Sequence, residues 1–565
     1  MKFHLVWIII LAIGLFPDFL IAQENFEPVT SVNVSELSLD EKVGQLLMIG
    51  FPQVDFDKKL QAHIQKIHAS SFIFFKRNIE DFSQAAKLTQ ALNQFVYSVS
   101  KTSALIAIDQ EGGAVARITT TPATPNAFSV GLTKNPEIAY ELGQETGRIL
   151  KQYGFNMNLA PVLDITDSQK NNFIGLRSFS SYFDITASLG FKYSQGLIDS
   201  KVLPTAKHFP GMASVFKDPH LGLVESPRSF DQIQKEDLFP YKKFIELGPN
   251  TAIMLSHLTY PSLDSTKAPA LFSRKISTDI LRNELKFTGL VVTDDIQMRS
   301  SQSVSTTWEN AIKSLKAGAD LIILSWSQQQ QEKTFIEIKK AIENGSLSIA
   351  EIDAKVARIL AVKKFFANPN ISIPTEKRRI HPSNRLAEIN QKILTYSIGS
   401  LLTEIKNIEL KKSVCVYSPS KNFIASLRSA EGPLFKYYPV TMGVQSKTLA
   451  AHLLKNTCDL NLISVYGRMS SKLLGQIKDQ KIISKTIVVN FSHPLILNNL
   501  WPEKQTLQIG YPYIDSGKVI GLALNQYRAR QELARVTRTQ LMQVPHEPVR
   551  LPAGQNSTEP HQETR

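Results

Sequence analysis

Two short segments hold residues whose types and spacing could do chemistry. The first is Lys207-His208-Phe209-Pro210-Gly211, followed after a fixed interval by Asp218-Pro219-His220. Lys207 and His208 directly follow an apolar run and offer donors suited to sugar hydroxyls. His220 falls in a Pro-containing loop, and Asp218, two residues before it, can turn back to accept an imidazole N–H. That fixes the tautomer of an acid/base histidine and raises its basicity. The second segment is Leu290-Val291-Val292-Thr293-Asp294-Asp295, in which two adjacent carboxylates end an apolar strand. Successive strand residues face opposite ways, so one of the two should aim inward. A carboxylate placed there can attack an anomeric carbon, the covalent step of retaining glycoside cleavage. The other role open to such an Asp is to cap the following helix. Asp294 is expected to be the functional carboxylate and Asp295 the structural one.

Two further segments read as supports. Asp109-Gln110-Glu111-Gly112-Gly113 is a strand running into a turn with Arg117 downstream, and Gly175-Leu176-Arg177-Ser178-Phe179 is a loop. Asp109 and Arg177 can form directional hydrogen bonds to sugar hydroxyls, and each can equally brace a loop through an ion pair.

These segments need a scaffold that delivers them to one place. Short apolar runs alternate with stretches of helical period from Glu41 onward: Gln45–Phe51, Ser71–Phe75, Leu105–Ile108, Met157–Val162, Leu203–Ala206, Ala252–Leu255, Leu290–Thr293 and Ala319–Leu324. Eight such runs over about 280 residues predict an α/β fold, an N-terminal (β/α)8 TIM-type barrel whose site forms at the C-terminal strand ends. Several runs end in polar residues: Asp109, Asp164, Lys207-His208, Ser256-His257 and Asp294-Asp295. No glycine-rich phosphate loop opens a helix, which counts against a doubly wound nucleotide-binding sheet. The barrel is expected over residues 30–367, ending in a helical stretch Ile349–Phe366. A Pro-rich linker at 368–383 follows, then a smaller α/β sandwich domain at 384–542 with strand-like runs Ser413–Tyr417, Leu460–Val465, Thr486–Asn490 and Leu507–Gly510. Residues 543–565 have the composition of a disordered tail.

In order and spacing, Phe74-Phe75-Lys76-Arg77-Asn78, the Asp109 turn, the Arg177 loop, Lys207-His208-Phe209-Pro210-Gly211, Asp218-x-His220 and Thr293-Asp294-Asp295 resemble the family 3 glycoside hydrolases. The resemblance is to their bacterial β-N-acetylglucosaminidase branch and covers roughly Ser35 to Phe366. It implies a retaining enzyme with Asp294 as nucleophile, His220 as general acid/base and Asp218 as its orienter. Asp109, Arg117, Arg177, Lys207 and His208 would contact a terminal N-acetylglucosamine, with peptidoglycan fragments as the source. A neutral imidazole beside an anionic nucleophile avoids like-charge repulsion. This chemistry calls for no metal or organic cofactor. The alternatives are a β-glucosidase, a phosphorylase or a substrate-assisted hexosaminidase on the same residues, or a non-catalytic glycan-binding protein.

Residues 1–22 have the layout of a signal peptide: Lys2 and His4, then an apolar run Leu5–Phe16, then Pro17 and a cleavable Ala22. Export to a periplasmic or extracellular setting is expected, an uncleaved anchor being the competing reading. The net charge of +14 fits association with an anionic cell envelope and fits a solvated basic surface equally well. It is not gathered into a basic–aromatic module, so nucleic acid is not an expected partner. Oligomeric state leaves no signature in the sequence. Cys415, in an apolar strand-like stretch, is expected to be a buried free thiol, although export would permit a bond to Cys458, the other cysteine.

Overall fold

The computed structural model describes residues 32–166, 174–213, 215, 222–367 and 383–404. Beyond these it describes 413–418, 424, 427–428, 435–439, 453, 458–465, 486–490 and 506–508. The expected leader, most of the 368–383 linker, the expected tail, and both Asp218 and His220 lie outside the described residues.

Eight strands form one parallel sheet in chain order: β1 (Leu47–Ile49), β2 (Ser71–Phe74), β3 (Leu105–Ile108), β4 (Met157–Asn158), β5 (Leu203–Phe209), β6 (Ala252–Leu255), β7 (Leu290–Thr293) and β8 (Ile322–Leu324). β8 pairs in register with β1 (Leu47 with Ile322), and a single parallel bridge, Val292 with Leu321, joins it to β7 and completes the circle. The strands are covered on both faces, as parallel sheets require, and for that reason read as unbroken apolar runs. β3, β6 and β7 coincide with the expected runs. β1 is shorter, because Ser38 and Glu41 form a capping box that starts a helix over Leu39–Gln45 and draws Gln45 into it. The run expected over Met157–Val162 keeps only two ladder residues, plus a bridge from Val162 to Lys207.

The outer helices begin where short polar side chains accept the first free N–H groups: Asp57, Asp81, Asn126, Ser327 and Ser348 each cap one. The last barrel helix is Ile349–Phe366, as the sequence indicates. The N-terminal face of the barrel is tied by buried charges. Asp320, just before β8, accepts from the Val291 N–H (2.8 Å), from Arg358 (2.8 and 3.0 Å) and from Arg282. Lys363 reaches Gln45 (2.7 Å) and Ser70 (2.6 Å), and its burial holds the ammonium pKa well below the ordinary lysine range. These contacts stand at the opposite end of the strands from the polar residues named above.

A helix over Asn384–Glu404 follows. Ser383, placed in the linker by composition, caps it: the Ser383 hydroxyl accepts from the Leu386 N–H (3.0 Å) and donates to buried Glu145 on a barrel helix. Asn390 reaches the Ala123 carbonyl (3.1 Å) and Lys392 pairs with Glu141 (2.7 Å), so the helix lies on the barrel. A second sheet of five parallel strands follows: β9 (Val414–Ser418), β10 (Phe435–Pro439), β11 (Leu460–Val465), β12 (Thr486–Asn490) and β13 (Thr506–Gln508), in the order β10-β9-β11-β12-β13. β10 had no counterpart among the expected runs. The expectation of a free thiol at Cys415 is corrected. Cys415 on β9 is bonded to Cys458 immediately before the neighbouring β11, with the two Cα atoms 5.8 Å apart. Pairing of those strands brings together two cysteines that are 43 residues apart in sequence. Among the described residues, no helix is long and apolar enough to cross a membrane.

Candidate active site

The C-terminal strand ends enclose a cleft of about 250 Å3 that opens to solvent, and Asp109, Arg117, Arg177, Lys207, His208 and Asp294 all line it. All the expected site residues that the structure describes therefore come together.

Beyond β3 the chain turns into a short hairpin, Gln110–Gly112 against Val115–Ala116. Gly112 and Gly113 make its turn at φ 98° and 58°, and a Cβ on Gly112 would stand 2.0 Å from the Pro125 carbonyl oxygen. Glycine is what this turn requires. Asn158, at the end of β4, accepts from the Gln110 N–H (3.0 Å) and donates to the Gln110 carbonyl (3.1 Å), holding the hairpin over the strand ends. Asp109 thereby accepts from Lys207 Nζ (2.9 Å) and Arg117 Nη2 (3.2 Å).

Glu111, which the sequence marks only as part of the turn, is the hub of the charged bed. Its carboxylate accepts from Arg177 Nε (2.8 Å) and Nη2 (2.8 Å) and lies 2.6 Å from Lys207 Nζ. Burial alone would push the Glu111 carboxyl up. Arg177 and Lys207 outweigh it and hold the group well below the usual carboxylate range. For Lys207, burial favours the neutral amine, but Asp109 and Glu111 raise its pKa above the ordinary value. Arg177 thus makes the loop-bracing ion pair open to it, and its side chain lines the cleft.

Lys207 and His208 both line the cleft, and the peptide bond between them is cis, as is Phe209–Pro210. Asp164, in sequence one more strand-end polar residue, is buried beneath this turn. It accepts from His208 Nδ1 (2.7 Å), from the His208 N–H (3.2 Å) and from the Met212 N–H (2.8 Å). With Nδ1–H committed to Asp164, Nε2 is the ring atom left for the cleft. Tyr260 donates to the Gly211 carbonyl (2.8 Å), fixing the backbone seven residues before Asp218 in the sequence.

Asp294, the first residue beyond β7, has its side chain 25% exposed. Burial would raise its pKa. His257, His208, the Asp295 N–H (2.8 Å to Asp294 Oδ1) and Lys207 outweigh that and keep the carboxyl below its usual range. His257 Nε2 lies 3.7 Å from Asp294 Oδ2, and its Nδ1 is 2.9 Å from the Ser301 hydroxyl. Its strand-end position is legible in the sequence, but its approach to Asp294 emerges only in three dimensions. Asp295 behaves differently. Burial and the neighbouring Asp294 charge push it up to about 7, against hydrogen bonds from the Gln297 N–H (3.0 Å) and Ser325 N–H (3.3 Å). It caps no helix; it ties the end of β7 to the end of β8. One carboxyl of the pair is held as the anion at neutral pH, while the other titrates near neutrality and is engaged with backbone.

A closed parallel barrel with an anionic carboxylate facing a bed of charged hydrogen-bonding groups at its C-terminal mouth defines a (β/α)8-barrel enzyme. Residues 38–362 match the glycosyl hydrolase family 3 N-terminal domain, and the chain belongs to that family. Beta-hexosaminidase A of Pseudoalteromonas piscicida is 28% identical over 410 residues, covering 66% of this chain and 68% of that protein. A protein described as an uncharacterized secreted glycosyl hydrolase of Arthroderma benhamiae is 32% identical over 347 residues, covering 60% of this chain and 97% of the relative. Among solved structures, a family 3 beta-N-acetylglucosaminidase from Paenibacillus sp. str. FPU-7 superposes with a TM-score of 0.73 at 26% identity. It covers 87% of this chain and 97% of its own.

Proposed function

We propose that this chain is a retaining β-N-acetylhexosaminidase that releases terminal β-linked N-acetylglucosamine. The observation that carries the reading is Asp294, held anionic and partly exposed at the end of β7, across one cleft from Asp109, Arg117, Arg177, Lys207 and His208. Family membership and the activities named for its relatives, beta-hexosaminidase and beta-N-acetylglucosaminidase, support the sugar assignment.

In the proposed sequence, the charged bed binds the hydroxyls of the terminal sugar and presents C1 to Asp294. A carboxylate oxygen forms a bond to C1 as the glycosidic bond breaks, and the departing oxygen takes a proton from the His220 imidazolium, oriented by Asp218, which leaves the neutral imidazole. Water then gives a proton back to His220 and attacks C1. The ester to Asp294 breaks, and the sugar leaves with its β configuration retained. The assignment of His220 and Asp218 rests on their sequence pattern. Peptidoglycan fragments are the proposed source. Export is supported by the leader-like residues 1–22 and by one relative described as secreted.

The test compares wild type, Asp294→Ala and His220→Ala on para-nitrophenyl β-N-acetylglucosaminide and β-glucoside. The reading requires preference for the N-acetyl sugar and loss of most activity in both variants. Activity surviving in Asp294→Ala would overturn the nucleophile assignment. Trapping on Asp294 of a slow fluorosugar that keeps its 2-acetamido group separates covalent from substrate-assisted catalysis, and phosphate dependence of product formation would reveal a phosphorylase.

A further inference from the structure

Trp326, the second residue beyond β8, lines the same cleft as Asp294 but has no part in the charged bed, and it is 60% exposed. A large indole left in water is unusual in a folded chain, and this one is held firmly. Its backbone N–H donates to Gln297 Oε1 (2.7 Å), and the neighbouring Ser325 N–H donates to Asp295 (3.3 Å). Arg77 donates to the Ser325 carbonyl (2.9 Å) and to the Phe51 carbonyl (3.2 Å), and its guanidinium carbon stands 4.4 Å from the ring centres of both Trp326 and Phe75. The two rings are 5.7 Å apart and inclined by 30°. Arg77 is thereby spent on backbone and rings, and what it holds in place is a pre-set aromatic surface.

The position of that surface suggests what it meets. Lys207, Glu111 and His208 are buried at the polar floor on the β3–β5 side, while Trp326 and Phe75 stand at the ends of β8 and β2 with the indole exposed at the rim. A sugar whose hydroxyls engage the floor and whose C1 meets Asp294 directs its C1 substituent outward. The apolar C–H face of a pyranose matches a flat aromatic ring, which contributes contact area with little conformational freedom to lose. We infer that Trp326, backed by Phe75 and Arg77, forms the leaving-group subsite and stacks on the pyranose ring attached to the scissile oxygen. This rests on the reading of Asp294 and the charged bed as the site that takes the terminal sugar.

The test uses two substrates with the same terminal sugar. β-N-Acetylglucosaminyl fluoride has a single-atom leaving group that cannot reach the platform, whereas the β-1,4-linked N-acetylglucosamine disaccharide places a pyranose there. For Trp326→Ala the inference requires kcat/KM on the disaccharide to fall about 10-fold further than on the fluoride, largely through KM, as expected when binding common to ground and transition states is removed. Trp326→Phe should restore most of the loss. Equal falls on both substrates, or no fall on either, would overturn the subsite. Wild type that turns over neither substrate would instead overturn the proposed activity, and the subsite with it.

Discussion

Glu111→Gln is the sharpest probe of the charged bed. The wild-type carboxylate serves Arg177 twice at 2.8 Å and Lys207 at 2.6 Å. Glutamine keeps one acceptor oxygen but turns an NH2 toward one of these cations, donor against donor, and leaves Lys207 and Arg177 without the anion nearest to both, with Asp109 and the more distant Asp164 and Asp294 to offset them. Removing one partner of a buried ion pair costs about 3–5 kcal/mol, a large share of the roughly 5–15 kcal/mol that stabilises a folded domain. The expected result in urea at pH 7, followed by tryptophan fluorescence, is a fall of that size in the first unfolding transition. Hydrolysis measured where the variant is still folded should show kcat/KM down at least about 100-fold, equivalent to roughly 2.7 kcal/mol of transition-state binding. The pH dependence follows from the depressed Glu111 pKa. Its stabilisation is present above the unfolded glutamate value of about 4.3 and is lost as pH falls. The gap between wild type and variant should therefore stay constant from pH 8 to 5 and close only in acid. A stability loss under about 1 kcal/mol together with kcat/KM within threefold of wild type would refute the description of Glu111 as the hub.

Three other outcomes are expected. Asp295, pushed up to about 7, stabilises the fold below about pH 4 as the neutral acid, and that contribution is lost as pH rises through 7. Asp295→Asn should remove up to about 4 kcal/mol of this pH dependence, read from unfolding midpoints at pH 4 and pH 8. Cys415→Ser opens a 43-residue loop and should cost the second sheet up to about 4 kcal/mol in a calorimetric scan, with the barrel transition unmoved. Gly211→Ala places a Cβ 2.8 Å from the Asp237 Cβ at φ 129°, so it should lower stability by roughly 1–3 kcal/mol. It should also lower activity more than a surface Gly345→Ala does.

The legible parts of the fold were those in which one signal dominates. Leu105–Ile108, Ala252–Leu255 and Leu290–Thr293 are apolar runs with polar ends, and the ladder occupies the same residues. Gln45 was misplaced because the apolar run outweighed the Ser38–Glu41 capping box, a signal present in the sequence. In the site, Asp109, Lys207, His208 and Asp294 could be named because each follows an apolar run; the β5 ladder goes on through Lys207 and His208 to Phe209. Glu111, Asp164 and His257 stand within the same segments, but their roles depend on partners 66, 44 and 37 residues away (111 to 177, 164 to 208, 257 to 294), distances that only the closed barrel makes short. The Cys415–Cys458 bond is invisible for the same reason, since strand adjacency creates it.

The helix Asn384–Glu404 has a practical consequence for anyone dividing this chain. Composition suggests cutting near residue 367, where the last barrel helix ends. A protein ending there would lose Ser383 from Glu145, Asn390 from the Ala123 carbonyl and Lys392 from Glu141, and would bare to water the barrel surface that Leu386, Ile389 and Ile393 cover. The catalytic half, expressed alone, is expected to need an endpoint beyond Glu404. One ending at 367 should aggregate through that uncovered flank while keeping every residue of the cleft.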